Sequence, residues 1–166
     1  MSQKPTLTSS GKMKRFPVPF AVPKTIDPNL ARVRAYWESL RRGGNEMPFW
    51  DDVKLSSLPD LHDRLMLVDV FARPQRFRLN FVGQELIAHY GESITGNFID
   101  EMQPKYPLEY LAPQCYATVE SVGATFYALD ARRRGKSPGR VGYSRLLLPM
   151  WGNGHIGMLL GAIQWH

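Results

Sequence analysis

The sequence predicts an α+β domain: a five-stranded antiparallel sheet with helices across one face and an amphipathic helix on the N-terminal side. Residues 77 to 81 alternate apolar and polar side chains, the period of a half-buried strand, and lead directly into a short amphipathic segment. Three strand-like stretches close the chain. The last two are joined through Asn153-Gly154, a pair typical of tight hairpins. Together these features favour a curved antiparallel sheet with a helix folded across its face.

The composition predicts one folded domain with short appendages. The chain has 166 residues, of which 43% are apolar and 11% aromatic. No uninterrupted apolar run approaches the roughly 20 residues that span a bilayer, and the N-terminus lacks the apolar core of a secretory signal. The single cysteine, Cys115, excludes an internal disulfide and a cysteine-rich zinc site. We therefore expect a cytoplasmic protein with no membrane partner.

The net charge of +6 comes largely from three basic clusters. They lie in residues 1–25, which predict a flexible basic tail, at Arg41-Arg42, and in a loop at 132–140. Such clusters usually lie in solvent, whereas a nucleic-acid groove needs a continuous basic surface with interleaved aromatic residues. The charge pattern therefore does not favour nucleic acid as a partner.

An N-terminal helix is predicted within residues 26–44. Asp27 is a good N-cap, Pro28 suits the first helical position, and Gly43-Gly44 should end a helix that spans 28 to 42. Its apolar stripe must be buried against the back of the sheet or against the same helix of a second subunit. In a homodimer, the interface residues would be Leu30, Val33, Trp37 and Leu40.

The remaining elements follow from periodicity and turn signals. A connector with one helical turn near 52–58 leads to two strands joined at Arg73-Pro74, and Gly83 ends the second. A short helix at 84–90 should end at Gly91, where a left-handed cap favours glycine. A longer helix between Pro107 and Gly123 should kink or begin at Pro113, which lacks an N–H. Strands are predicted at 124–131, 141–150 and 155–165.

Three stretches carry a resemblance to a known fold. They are YWESLRRGGNEMP at 36–48, FRLNFVGQELIAHYGESITG at 77–96, and YSRLLLPM followed by GMLLGAI within 143–163. With the order of elements, they make the chain resemble the PAS fold, and in particular a small group of stand-alone bacterial PAS-like proteins. The resemblance implies that residues 45–166 form a sensory or regulatory domain, often dimeric, that acts through another molecule and catalyses no reaction.

A small ligand, if the domain binds one, would lie on the concave face of the sheet. Polar and aromatic side chains there could supply an aromatic wall and a guanidinium that pairs with an anion. The candidates are Tyr90, Tyr110, Tyr116, Phe126, Tyr127, Tyr143 and Arg145. The same side chains could instead fill a core, so a protein-binding scaffold without a ligand is the alternative function. The sequence identifies no cofactor.

Two single residues suggest other chemistry. His89 could ligate haem, but it sits on the short helix, whereas PAS-like haem sensors usually take their histidine from the longer helix. Cys115 lacks the surroundings of a photochemical thiol and is better interpreted as a buried helix residue. No Gly-x-Ser-x-Gly or His-Glu-x-x-His motif occurs, so the sequence does not favour an enzyme.

Overall fold

A computed structural model describes residues 20–130 and 141–166. It has the predicted α+β class: five strands form one open antiparallel sheet in the order β2-β1-β5-β4-β3. The strands are β1 (Leu65–Ala72), β2 (Gln75–Val82), β3 (Thr125–Leu129), β4 (Tyr143–Gly152) and β5 (His155–Trp165). The helices are α1 (Pro28–Ser39), α2 (Gln84–Tyr90) and α3 (Leu111–Ser121), with 3-10 turns at Trp50–Asp52, Leu55–Ser57, His62–Arg64 and Ile99–Glu101.

Both predicted hairpins are present. Arg73-Pro74 is the two-residue connection between β1 and β2. Asn153 and Gly154 have φ values of 57° and 81°, and a two-residue hairpin turn of the type that Asn-Gly favours needs positive φ at both positions. Pairing continues to Gly152 and His155 beside this turn, so β4 ends two residues later than predicted.

The helices on the concave face largely match their sequence signals. α2 spans the predicted residues, and Gly91 caps it at a φ of 106°. α3 begins at Leu111, so Pro113 lies in the first turn, where its missing N–H breaks no helical hydrogen bond. The prediction that Gly123 ends this helix was wrong: the left-handed cap is Val122, at a φ of 54°.

The two faces of the sheet are covered by different helices. α2 and α3 lie on one face of the sheet, and α1 packs on the opposite face of β4 and β5. Trp37 Nε1 donates to the Pro149 carbonyl at 2.8 Å, and Asn29 Nδ2 donates to Gln164 Oε1 at 3.2 Å. β4 is buried along almost its whole length, as expected for a strand with apolar residues on both sides.

α1 ends earlier than its sequence predicts. Its last residue is Ser39. The Leu40 N–H donates to the carbonyl of Trp37, three residues earlier, so the final turn is tightened to 3-10 geometry. The Ser39 hydroxyl also donates to the Tyr36 carbonyl at 2.6 Å. These local bonds satisfy carbonyls of the last turn, so the helix stops before the Gly43-Gly44 pair.

Part of the predicted tail is ordered against the sheet. The Phe126 N–H donates to the Phe20 carbonyl at 2.9 Å, and the half-buried Val22 packs against the core. The rest of the tail, residues 1–19, and the basic loop at 131–140 lie outside the described residues. No helix in the described ranges is both long enough and apolar enough to cross a bilayer.

Candidate functional site

A buried guanidinium lies between α3 and the sheet. Arg145, on β4, is fully buried, and its Nε donates to Gln114 Oε1 on α3 at 2.7 Å. Its Nη1 donates to the Pro107 carbonyl at 3.2 Å and its Nη2 to the Glu109 carbonyl at 2.7 Å. Within the described residues, no carboxylate lies within ion-pairing distance of this guanidinium. Neutral acceptors therefore hold the cation.

Aromatic rings complete the surroundings of Arg145. The guanidinium carbon is 5.0 Å from the ring centroid of Tyr127 and 5.8 Å from that of Tyr143, within the range of cation–π attraction. The Tyr143 hydroxyl donates to Glu109 Oε1 at 2.5 Å. Glu109 is thus the acidic residue of this cluster, and its carboxylate is hydrogen-bonded to the Tyr143 phenol.

Strand register explains why these side chains meet. Arg145 pairs with Tyr127 on β3 and with Ile163 on β5, and paired residues of antiparallel strands point to the same face. Two residues away along β4, Tyr143 pairs with Trp165 and therefore shares that face. The first turns of α3 then cover the strands and bring Gln114 over Arg145.

Burial shifts the pKa values of Arg145 and Tyr143 in the directions that favour their uncharged forms. Loss of solvent lowers the pKa of Arg145, and the charges and polar groups around it only partly oppose this effect. Burial also raises the pKa of Tyr143, against the influence of the Arg145 charge. Tyr143 therefore remains a protonated donor to Glu109 through the neutral pH range.

The structure brings together four of the seven candidate ligand-binding residues. Tyr143 and Arg145 are buried side by side, and Tyr127 and Tyr110 extend the cluster towards solvent, their ring centroids 5.6 Å apart. These side chains fill the space between α3 and the sheet. The predicted aromatic wall therefore surrounds the Arg145 side chain and not a bound ligand.

The other three candidates lie elsewhere. Tyr116 is exposed on α3 and packs edge-on against Phe77, with ring centroids 4.9 Å apart. Phe126 alternates with Thr125 and Tyr127 along β3 and so points to the opposite face of the sheet. Tyr90 is buried and donates to the Gln103 carbonyl at 2.8 Å.

A cleft of about 670 Å³ lies beside the cluster, at the surface of the domain. We name it the Tyr110 cleft; residues of the stretches 99–104 and 108–113 line it. Glu109, whose carbonyl accepts from Arg145, belongs to the second wall, and Pro107, whose carbonyl also accepts from Arg145, precedes that wall in the chain. The cleft wall is therefore hydrogen-bonded to the buried guanidinium through the backbone of Glu109.

The comparisons with known proteins leave the family open. No protein-family model and no curated protein matches this chain. The function must therefore be argued from the Arg145 cluster, the Tyr110 cleft and the exposed surfaces.

His89 and Cys115 occupy structural positions. The His89 ring stacks on Trp165 with centroids 4.0 Å apart and an interplanar angle of 17°, and burial lowers its pKa against the influence of Glu85. Cys115 is fully buried on α3, and burial raises its pKa to about 12. The described residues contain no group of three or more His, Cys, Asp or Glu side chains that could hold a metal ion.

Sequence reasoning missed the polar residues of α3. Gln114 and Thr118 are fully buried, and the Thr118 hydroxyl lies 2.6 Å from that of Thr125. Helical spacing in the sequence places Leu108, Leu111, Cys115, Val119 and Val122 on one apolar stripe and predicts that they are buried. In the structure Val119 is half-buried and Val122 is exposed. The signal for Gln114 was its spacing of four residues from Thr118, which places both side chains on one helix face.

Most of the predicted dimer-interface residues are buried within the single chain. Leu30, Val33 and Trp37 are buried beneath α1, and Leu40 is half-buried. A different apolar surface is exposed near the β4–β5 hairpin. We name it the aromatic patch; it comprises Trp50 (45% exposed), Val122 (43%) and Trp151 (38%).

Proposed function

We propose that this chain is a PAS-like sensory or regulatory domain that binds a small molecule in the Tyr110 cleft. One observation carries the proposal: the segment 107–110 contributes to the cleft wall and also holds the guanidinium of Arg145 on β4. A ligand that moves this segment would change the hydrogen bonds of a strand inside the sheet. Such a connection between a binding surface and a packed core is what a sensor needs.

The arrangement of elements supports the same proposal. Two strands, short helical turns, a longer helix and three further strands follow one another in the order on which the resemblance to PAS proteins rests. The cleft has mainly apolar walls with a few polar groups, the usual character of small-molecule sites.

Filling the cleft tests this function. Ala112 lines the cleft on the first turn of α3, so Ala112→Trp should occupy the space that a ligand needs. We expect a metabolite screen by thermal shift to yield compounds that raise the Tm of the wild type but not that of Ala112→Trp, because a ligand stabilises only a fold that can bind it. Ala35→Trp, on the exposed side of α1, is the matched control and should keep the response.

A second candidate function, a protein-binding scaffold, is favoured by the aromatic patch. Exposed tryptophans concentrate binding energy at protein interfaces, and the patch presents Trp50 beside Trp151. A regulatory protein or a second copy of the chain would bind there rather than on the stripe of α1. In that case Trp151→Ala would abolish partner binding or self-association, Ala112→Trp would not, and the metabolite screen would yield no cleft-dependent compound.

A further inference from the structure

We propose that the Tyr110 cleft selects small organic cations, in which a protonated amine is attached to an apolar body. This inference rests on the proposed function for the existence of a ligand, and it adds the chemical class. The charged residues, the apolar walls and the aromatic rim of the cleft support it.

The charged residues that line the cleft are acidic. They are Asp100 and Glu109, and within the described part of the chain the lining includes no Lys, Arg or His. Asp100 is paired with Arg76, which donates to both of its oxygens at 2.8 Å. Glu109 receives the Tyr143 hydroxyl on Oε1, so Oε2 is left to accept from a ligand. Glu109 is therefore the principal anchor for a cation.

The rest of the cleft suits the body of such a ligand. Its apolar lining residues are Ile99, Met102, Pro104, Leu108, Leu111, Ala112 and Pro113. Tyr110, which is 55% exposed, lies in the lining and presents its ring to solvent. An ammonium group beside an aromatic face gains cation–π attraction, so an apolar amine would satisfy both kinds of surface.

Arg145 does not turn the cleft into an anion site. Its guanidinium is fully buried and directs its N–H groups at Gln114 and at the carbonyls of Pro107 and Glu109. An anion in the cleft would face Glu109, a lining residue whose carboxylate no basic side chain of the described residues pairs with, whereas the Arg145 cation is buried.

Three probes of similar shape and different charge test the inference on the wild-type protein. They are 2-phenylethylammonium, 2-phenylethanol and 3-phenylpropionate, titrated while the backbone amide signals are followed by NMR. We expect the ammonium to shift signals of residues 99–104 and 108–113 and to bind about tenfold more tightly than the other two, the difference that one charge-assisted hydrogen bond supplies.

A pair of isosteric variants identifies the anchor. Glu109→Gln keeps an oxygen that can accept from Tyr143 but removes the negative charge, so the ammonium should bind about tenfold more weakly. Glu92→Gln removes one charge from an exposed residue outside the cleft and should leave binding unchanged.

The outcomes separate this inference from the proposed function. Equal or tighter cleft binding by the alcohol or the carboxylate would overturn the choice of a cation and leave ligand binding intact. If none of the three probes shifts the cleft signals, the inference is also wrong, whereas the metabolite screen with Ala112→Trp still decides whether the cleft binds a ligand. If Glu109→Gln and Glu92→Gln weaken binding of the ammonium equally, the ammonium is attracted by net charge alone. That result would overturn the assignment of Glu109 as its anchor.

Discussion

Gly83 begins the path from β2 into α2 at a point where the backbone of another segment passes very close. A Cβ at this position would lie 2.3 Å from the Asp63 carbonyl oxygen and 2.9 Å from that of His62. Both contacts are to backbone, which cannot swing aside as a flexible side chain can. The Gly83 N–H also donates to the Leu65 carbonyl at 2.8 Å, which holds the strand end against β1.

Replacement of Gly83 by alanine should therefore destabilise the fold. We expect Gly83→Ala to lower the free energy of unfolding by about 1–3 kcal/mol, the usual effect of overpacking a rigid site. Urea denaturation followed by circular dichroism measures it. Gly44→Ala is the matched control, because a Cβ there meets no atom within 4 Å, and its effect should stay within about 0.5 kcal/mol. Equal effects of the two substitutions would contradict this account of Gly83.

Arg145 is stable in the interior because its surroundings satisfy both its charge and its N–H groups. A buried charge is costly unless its hydrogen-bonding groups are satisfied, and here an amide, two carbonyls and two aromatic rings share that task. The sequence identified Arg145 and Tyr143 as candidates because they are polar residues set among apolar ones. It gave no sign that the acceptors would be the backbone of 107–109, since backbone groups carry no sequence signature.

The apolar stripe of α1 could pack against the sheet of its own chain or against a second subunit. The stripe of Leu30, Val33 and Trp37 predicts burial but not the partner, and in the structure that partner is the sheet of the same chain. Trp37 also donates a hydrogen bond to the Pro149 carbonyl of the same chain. Because these side chains are already buried, a homodimer would have to form through other surfaces.

Truncation of Trp37 tests the packing of α1. We expect Trp37→Ala to lower the free energy of unfolding by about 3–5 kcal/mol, because it leaves a large cavity and an unpaired carbonyl under the helix. Chemical denaturation should give the same loss at every protein concentration, since the contact lies within one chain. Glu38→Ala, on the exposed side of α1, should change stability by no more than about 0.5 kcal/mol. A loss that disappears at high protein concentration would instead support the interface between two subunits.

The whole domain is a sheet covered on both sides, with its titratable groups unevenly buried. Cys115 and Tyr143 lie between α3 and the sheet, and burial raises the pKa of both. Each is neutral in the folded chain, while the unfolded chain releases their protons near 9.0 and 10.0. Their contribution to stability is therefore complete below pH 9 and is lost as the pH rises through the folded-state values.

Alkaline unfolding should reveal this linkage. Between pH 9 and the Cys115 pKa of about 12, we expect the free energy of unfolding to fall with pH. The slope should be steeper in the wild type than in Cys115→Ala by up to about 1.4 kcal/mol per pH unit, the value for one proton. Urea denaturation at a series of pH values measures both slopes. Parallel curves would show that the thiol does not titrate differently in the two states.

The sequence by itself determined the local elements of this protein. Alternation in β2, the Asn153-Gly154 turn, Gly91 after α2 and Pro113 in α3 are signals that act over a few residues, so they predict structure without knowledge of distant contacts. The same locality explains the errors at element ends, as at Val122, where the last turn is set by its own hydrogen bonds and by packing.

Only the tertiary structure decided which surfaces meet. It placed α1 on its own sheet, buried Gln114 and Thr118 between α3 and the sheet, and left Tyr116 and Phe126 away from the cluster. It also created the Tyr110 cleft, whose two walls are separate stretches of the chain. Such pairings depend on register and on contacts between residues far apart in sequence, and periodicity along one segment carries no information about them.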